Sequence, residues 1–217
     1  MNEIVVRPYE AKDRDAVRRL TWDTADQGRP LLPAAYDREI IVDILTRYYM
    51  ERAPHSLLVA ESGAEVVGYL SGCPDTRDYE YFMRFRVIPG VLMRGIWKGL
   101  LWQRTTWKIF WAAVGTWRCG GFKIKELLKT YPAHLHVNVR EAFRGEKAGR
   151  RLVEEFLARL NAVGVGGVHA MVREDNAKGR AFFEQMGFEI KARLPLRWVE
   201  GGKTVERCRL MYGKRLG

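Results

Sequence analysis

A chain of 217 residues, 47% of them hydrophobic and 29% charged, can bury a proper core, and no linker, repeat or low-complexity tract divides it, so residues 1–217 read as one domain. The longest nearly apolar run, 109–117, is far too short to cross a bilayer, and the opening Met-Asn-Glu-Ile-Val-Val-Arg has no apolar signal region. Three scattered cysteines, Cys73, Cys119 and Cys208, make neither a CxxC pair nor an even framework, which predicts free thiols, no metal and a cytoplasmic setting.

In chain order, residues 4–8 read as a first strand and 13–24 as a helix that turns Ala16, Val17, Leu20 and Trp22 inward. A second helix within 36–52 carries an apolar stripe of Ile40, Ile41, Ile44, Leu45 and Tyr48. Residues 56–61 and 65–73 form a hairpin across Ser62-Gly63-Ala64. After a long intervening segment come a strand at 133–139, a helix opening at Gly149, a strand at 167–172, a helix at 177–186 and closing strands at 188–193 and 205–212. Helices mixed with a largely antiparallel sheet of about seven strands give an α+β fold class.

The segment Val137-Asn-Val-Arg-Glu-Ala-Phe-Arg-Gly-Glu-Lys-Ala-Gly-Arg-Arg-Leu152 runs from a strand through a basic, glycine-containing turn into a helix. A helix N-terminus presents backbone N–H groups without intrahelical partners and about half a positive charge, which suits an anion such as a pyrophosphate. Arg144, Gly145, Glu146, Lys147, Ala148, Gly149 and Arg150 are the candidate phosphate-binding residues, and the two glycines allow close approach of the backbone.

With its flanks this segment resembles the acetyl-CoA-binding motif of the GNAT family of N-acetyltransferases, Gln/Arg-x-x-Gly-x-Gly/Ala at the start of a helix. Arg144 fits the first position and Gly149 the last, while Lys147 stands where the middle glycine is expected. A second segment, Val168-His-Ala-Met-Val-Arg-Glu-Asp-Asn176 with Arg180-Ala-Phe-Phe-Glu-Gln-Met-Gly-Phe188, is similar to the family's later motif of strand, Asn, helix and Gly-Phe. Asn176 is expected to cap that helix and offer an amide to a ligand.

The resemblance implies a GNAT fold in which the strands ending near Val139 and Val172 part, so that acetyl-CoA enters between them. Val137 and Val139 would then give main-chain contacts to pantetheine, with Asn176 and Phe183 also at the coenzyme. An amine acceptor, a small molecule or a peptide, would attack the thioester directly. Many members of the family use a Tyr as general acid where this chain has Phe183, and Phe cannot donate a proton. Tyr131, Tyr212, Cys208 or water remain as donors.

For the base, Tyr131-Pro-Ala-His-Leu-His-Val-Asn138 places His134, His136 and Asn138 on one face of a strand, opposite Leu135, Val137 and Val139. A histidine can accept a proton near neutral pH, which makes His136 and His134 the catalytic candidates, with Glu61, Asp75 and Asp175 in reserve.

Residues from about 74 to 130 lie outside the common family core, as an insertion between the third and fourth strands. It holds five of the seven tryptophans, Trp97, Trp102, Trp107, Trp111 and Trp117, and from 77 to 129 has eleven Lys/Arg against three Asp/Glu. That local excess of +8 out of +11 is more than coenzyme phosphates explain. A lid over the acceptor, an insert docked on the sheet by its tryptophans, and a peripheral membrane contact are all open, and nucleic acid is disfavoured because the tryptophans are spaced like packing residues. A homodimer is also open.

The long aromatic insertion and Tyr131-Pro-Ala-His-Leu-His136 look closest to bacterial relatives of the acetyltransferase-like domain found beside O-GlcNAc hydrolases. That resemblance implies a second function, a non-catalytic acyl-CoA-binding module.

Overall fold

Among the described residues, alternating or continuous apolar stretches fold into seven strands: β1 (Ile4–Pro8), β2 (Leu57–Ser62), β3 (Glu65–Cys73), β4 (Ala133–Val139), β5 (Gly167–Arg173), β6 (Glu189–Glu200) and β7 (Lys203–Arg215). They form one mixed sheet in the order β1-β2-β3-β4-β5-β7-β6, with β4 and β5 its one parallel pair. The computed structural model describes residues 3–26, 37–145, 147–200 and 202–217. The α+β fold class expected from the sequence is the one observed.

Eight helices accompany the sheet among the described residues: α1 (Arg14–Thr24), α2 (Arg38–Glu51), α3 (Thr76–Phe82), α4 (Ile88–Trp97), α5 (Arg104–Arg118), α6 (Leu127–Thr130), α7 (Ala148–Ala162) and α8 (Ala177–Gln185). Because strand side chains alternate between faces, each face of the sheet has its own core. On one face Leu70, Leu135, Val168 and Leu210 pack under Leu152, Phe156 and Leu160 of α7 and Phe183 of α8. On the other, Val59, Tyr69 and Cys73 pack under Val17 and Leu20 of α1 and Tyr48 and Tyr49 of α2. Gly72 makes the first core possible, since a Cβ there would stand 2.2 Å from the Phe156 ring.

Three local expectations change. The inward face of α2 is Ile40, Val42, Thr46, Tyr48 and Tyr49, while Leu45 is exposed. Thr46 can face inward because its hydroxyl donates to the Val42 carbonyl (2.7 Å), which satisfies the polar atom inside the core. The closing strands run further than expected and stay paired to Glu200↔Lys203. Pro195, which argues against a strand by removing a donor, lies on β6 at the sheet edge, where that donor is not required.

The third change concerns the insertion. α5 seats a small face of Ala112, Gly115 and Thr116, with Thr116 Oγ1 accepting from Arg197 N of β6 (2.9 Å). A Cβ at Gly115 would stand 2.6 Å from the Arg197 side chain, and one at Gly121 2.2 Å from the Pro195 carbonyl. The tryptophans do not dock this insert: all five are exposed, Trp97 by 84% and Trp102 by 80%. Close approach of helix to strand selects small residues, and that leaves the large ones outside.

Candidate active site

The central feature is where β4 and β5 stop pairing. They are joined through Ala133↔Val168 and His134↔His169, and then part. On its other edge β4 stays paired with β3 up to Gly68↔Val139, and β5 stays paired with β7 up to Arg173↔Arg209. Residues 135–139 therefore present strand edge, with its N–H and C=O groups, to an opening inside the sheet. Buried backbone polar groups require partners, so such an opening suits a ligand that carries amides of its own.

At the mouth of this opening α7 begins. Lys147, its N-cap, has φ 63° and Gly145 has φ 92°, so two left-handed residues turn the chain sharply into the helix. Lys147 is the one non-glycine residue in this conformation among those described. It holds the backbone shape that a glycine would take freely, at a cost of about 1–2 kcal/mol. No side chain caps this helix among the described residues, and its first α-helical bond runs from Arg151 N to Lys147 O (2.9 Å), which leaves the N–H groups of Ala148, Gly149 and Arg150 without intrahelical acceptors. By contrast α8 is capped by its own Asn176, whose Oδ1 accepts from Gly179 N (2.9 Å).

Arg150 and Arg151 sit in the first turn of α7, where the helix dipole disfavours cations unless an anion is present. Arg151 Nη1 donates to the Ile4 carbonyl, and Arg150 Nε pairs with Glu154 (2.8 Å). Arg144 Nε donates to the Val139 carbonyl (3.2 Å), so the turn is tied to the end of β4. Ala148 is buried under the turn, and Val137 and Val139 lie half-buried against the α7 core. Glu146, expected in the cradle, lies outside the described residues.

Phe183 is 7% exposed, packs edge-on against Phe182 and Phe188 and stacks with Tyr212, so its ring belongs to the core. Phe182 lies against the start of α7, its ring edge 3.5 Å from where a Gly149 Cβ would stand. Adjacent residues of a helix point about 100° apart, and two phenylalanines in a row left the sequence no means of choosing between them.

His134 and His136 share the face of β4 that meets α1 and α2, and their surroundings separate them. Tyr49 Oη donates to His134 Nε2 (2.8 Å), while Nδ1 lies 2.8 Å from Thr76 Oγ1. The Thr76 hydroxyl proton is directed to the Pro132 carbonyl (2.6 Å), so Thr76 accepts from His134 Nδ1–H and the ring is a neutral tautomer with both nitrogens engaged. Burial, and secondarily the neighbouring histidines, holds its pKa well below 6.5. His134 is therefore a buried neutral histidine with neither ring nitrogen free. His169, opposite it on β5, is also neutral: Nδ1–H donates to the Tyr131 carbonyl (2.9 Å) and burial lowers its pKa.

His136 follows two residues later, at the start of the opening, and is exposed where His134 is buried. It has no hydrogen-bond partner among the described residues. Burial by the surrounding protein, and secondarily the neighbouring His169, lowers its pKa from 6.5. Solvent still reaches the ring, so that desolvation is complete only when the opening is filled. Asn138, next on this face, donates from Nδ2 to Tyr69 Oη (2.8 Å), which in turn lies 3.0 Å from Thr21 Oγ1 of α1.

The reserve bases are engaged elsewhere. Glu61 pairs with Arg7 (2.6 Å), Asp75 caps α3 through Arg77 N (2.9 Å), and Asp175 pairs with Arg173 (2.6 Å). Among the acid candidates, Tyr131 lies at the closed end of β4, against Gly167 and Gly213, and Tyr212 Oη already donates to Glu184 (2.7 Å). Sequence reasoning missed Tyr49, Thr76 and the Arg173–Asp26 ion pair (2.8 Å) that links β5 to the end of α1. Nothing local marks these residues, because each acts across a long stretch of chain. No group of three or more potential metal ligands exists among the described residues, and no described helix is long and apolar enough to cross a membrane.

Residues 112–188 match the sequence profile of the Acetyltransferase (GNAT) family, a span that runs from α5 through the parted strands to the end of α8. Over 99% of both chains the structure is similar to that of SsHAT, with 26% identity and a TM-score of 0.72. It is also similar in fold to yncA from Salmonella typhimurium, solved with its cofactor acetyl-CoA, at 15% identity and a TM-score of 0.59 over 99% of this chain and 95% of that one. A third relative in fold is a ribosomal-protein-alanine N-acetyltransferase from Brucella melitensis, at 19% identity and a TM-score of 0.57 over 98% of this chain and 99% of that one. Profile and fold meet at the parted strands, and on that ground the chain is an acyltransferase with the GNAT fold.

Proposed function

We propose that the chain transfers an acetyl group from acetyl-CoA to a primary amine by direct attack, with no covalent enzyme intermediate. The observation that carries this is the parting of β4 from β5 after His134, with the uncapped start of α7 at its mouth. Pantetheine amides would bond the free edge at Val137 and Val139, and the pyrophosphate would lie on the N–H groups of Ala148, Gly149 and Arg150 with Lys147 and Arg144 beside it.

His136 is the base in this reading, since it alone among the candidates is both solvent-facing and unpartnered among the described residues. With its pKa lowered it is neutral at pH 7 and able to accept a proton, but it drives little transfer from an ammonium ion. The acceptor would therefore arrive as the free amine. The cationic insertion favours a small amine bearing an acid group over a basic tail. The setting is cytoplasmic, in keeping with the three free cysteines, and homodimer assembly would be read by sedimentation.

A non-catalytic acyl-CoA-binding module is the second reading, favoured by Phe183 in the core and by His134 with both nitrogens occupied. It follows from the resemblance to the domain found beside O-GlcNAc hydrolases. Acetyl-CoA at about 100 times its Kd should stabilise the fold by roughly 2.7 kcal/mol, and an unchanged melting curve would sink both readings. Thiol release across a panel of amines separates them. His136→Ala should then lower kcat about 10²-fold, and a loss below tenfold would remove His136 as base.

A further inference from the structure

We propose that the outer face of α4 and α5 docks on the surface of an anionic phospholipid bilayer. Each helix is amphipathic with its larger apolar stripe turned outward. On α5 the small face of Ala112, Gly115 and Thr116 meets β6, and Trp107, Phe110, Trp111 and Trp117 are 50%, 50%, 63% and 69% exposed. These four recur at helical spacing, as a buried stripe would. On α4, Gly95 is buried while Leu92, Met93, Ile96 and Trp97 are exposed. The short turn Leu100–Trp102 joins the two helices and exposes Leu101 and Trp102, and Trp107 Nε1 donates to the Leu101 carbonyl (2.8 Å), so the stripe continues through the connection.

Charge decides the occupant. From 81 to 125 the chain has nine Lys and Arg and no Asp or Glu. Arg94 and Lys98 pair with Asp43 and Asp37 of α2, whereas Arg86, Arg104, Arg118, Lys123 and Lys125 are exposed cations. A second copy seated here would bring the same cations against themselves. An anionic bilayer meets both features: its headgroups take the cations, and the region just beneath them is where tryptophan rings prefer to lie. Helices of this kind lie in the plane of the membrane and do not cross it.

The inference is independent of acetyl transfer, and its test uses the full chain without substrate. Sedimentation with vesicles of 70:30 phosphatidylcholine and phosphatidylglycerol at about 100 mM salt should carry the protein down, with a blue shift of tryptophan emission. Pure phosphatidylcholine should bind at least tenfold less, and about 500 mM salt should release most of the bound protein. Trp97→Ala/Trp102→Ala/Trp111→Ala, at exposed positions outside the site, should lower vesicle affinity at least tenfold with an unchanged circular dichroism spectrum. The proposal is overturned by no binding to the anionic vesicles, by equal binding to both compositions, or by binding indifferent to the tryptophans. A tryptophan-dependent dimer, or tryptophan-dependent retention on DNA in place of vesicles, overturns it too.

Discussion

The half of the molecule that carries β4, α7, β5 and α8 and the half that carries α4 and α5 use the same sequence pattern to opposite ends. In α7 the apolar residues at helical spacing, Leu152, Val153, Phe156 and Leu160, are at most 1% exposed and roof the sheet. In α5 the residues at the same spacing are tryptophans and a phenylalanine that face away from the sheet, and the small residues between them make the contact. The difference teaches that amphipathic spacing reports the existence of two faces, while the surface waiting for the helix selects which face is buried. A sheet layer lined by leucines and valines accepts large side chains, whereas a close approach to β6 accepts glycine, alanine and threonine.

The contrast can be broken most directly by truncation. Phe156→Ala should cost about 3–5 kcal/mol in urea unfolding, as a fully buried ring leaves a cavity beside Gly72. Trp111→Ala should stay within about 0.5 kcal/mol in the same assay. Comparable losses would mean that the outer stripe is covered in the folded protein and that the two halves do not differ.

The half that carries β4 and β5 is sharpened by pH. His134 and His169 are buried and neutral, with pKa values below 6.5 in the folded chain and near 6.5 when unfolded. Above pH 6.5 neither state is charged and stability is unaffected. As the pH falls below 6.5 only the unfolded chain gains protons, so stability drops by at most about 1.4 kcal/mol per pH unit for each histidine until the folded pKa is reached. Urea midpoints at pH 7.5 and 5.5 measure this, and His134→Gln should flatten the slope by one proton. An unchanged slope would mean that His134 titrates alike in both states.

The smallest effect isolates the cradle. Lys147→Gly should stabilise the fold by about 1 kcal/mol by relieving a left-handed conformation, while weakening acetyl-CoA by removing a cation from the pyrophosphate. Stability gained with unchanged coenzyme affinity would make Lys147 a matter of backbone shape alone.

Much of the site was legible locally. The strand at 133–139 and its alternation placed His134, His136 and Asn138 on one face, and the basic turn at Arg144 to Gly149 marked a helix start suited to an anion. Phe182 and Phe183 are adjacent in the second motif, and the sequence does not say which one turns into the core. The closing strands, expected at 188–193 and 205–212, extend through Pro195, whose missing donor costs nothing on an edge strand.

The sequence by itself determined the order of elements outside residues 74–130, the α+β class and the two motifs of the coenzyme half, because periodicity, caps and turn residues act over a few residues. Only the tertiary structure decided that His134 is saturated by Tyr49 and Thr76 while His136 is left open, that β4 and β5 stop pairing right after His134↔His169, and that the tryptophans face outward. Those outcomes depend on partners 85 and 58 residues away in the first case, and on which surface meets which in the others. Burial and hydrogen-bond satisfaction belong to pairs of surfaces, and one segment alone does not contain its partner.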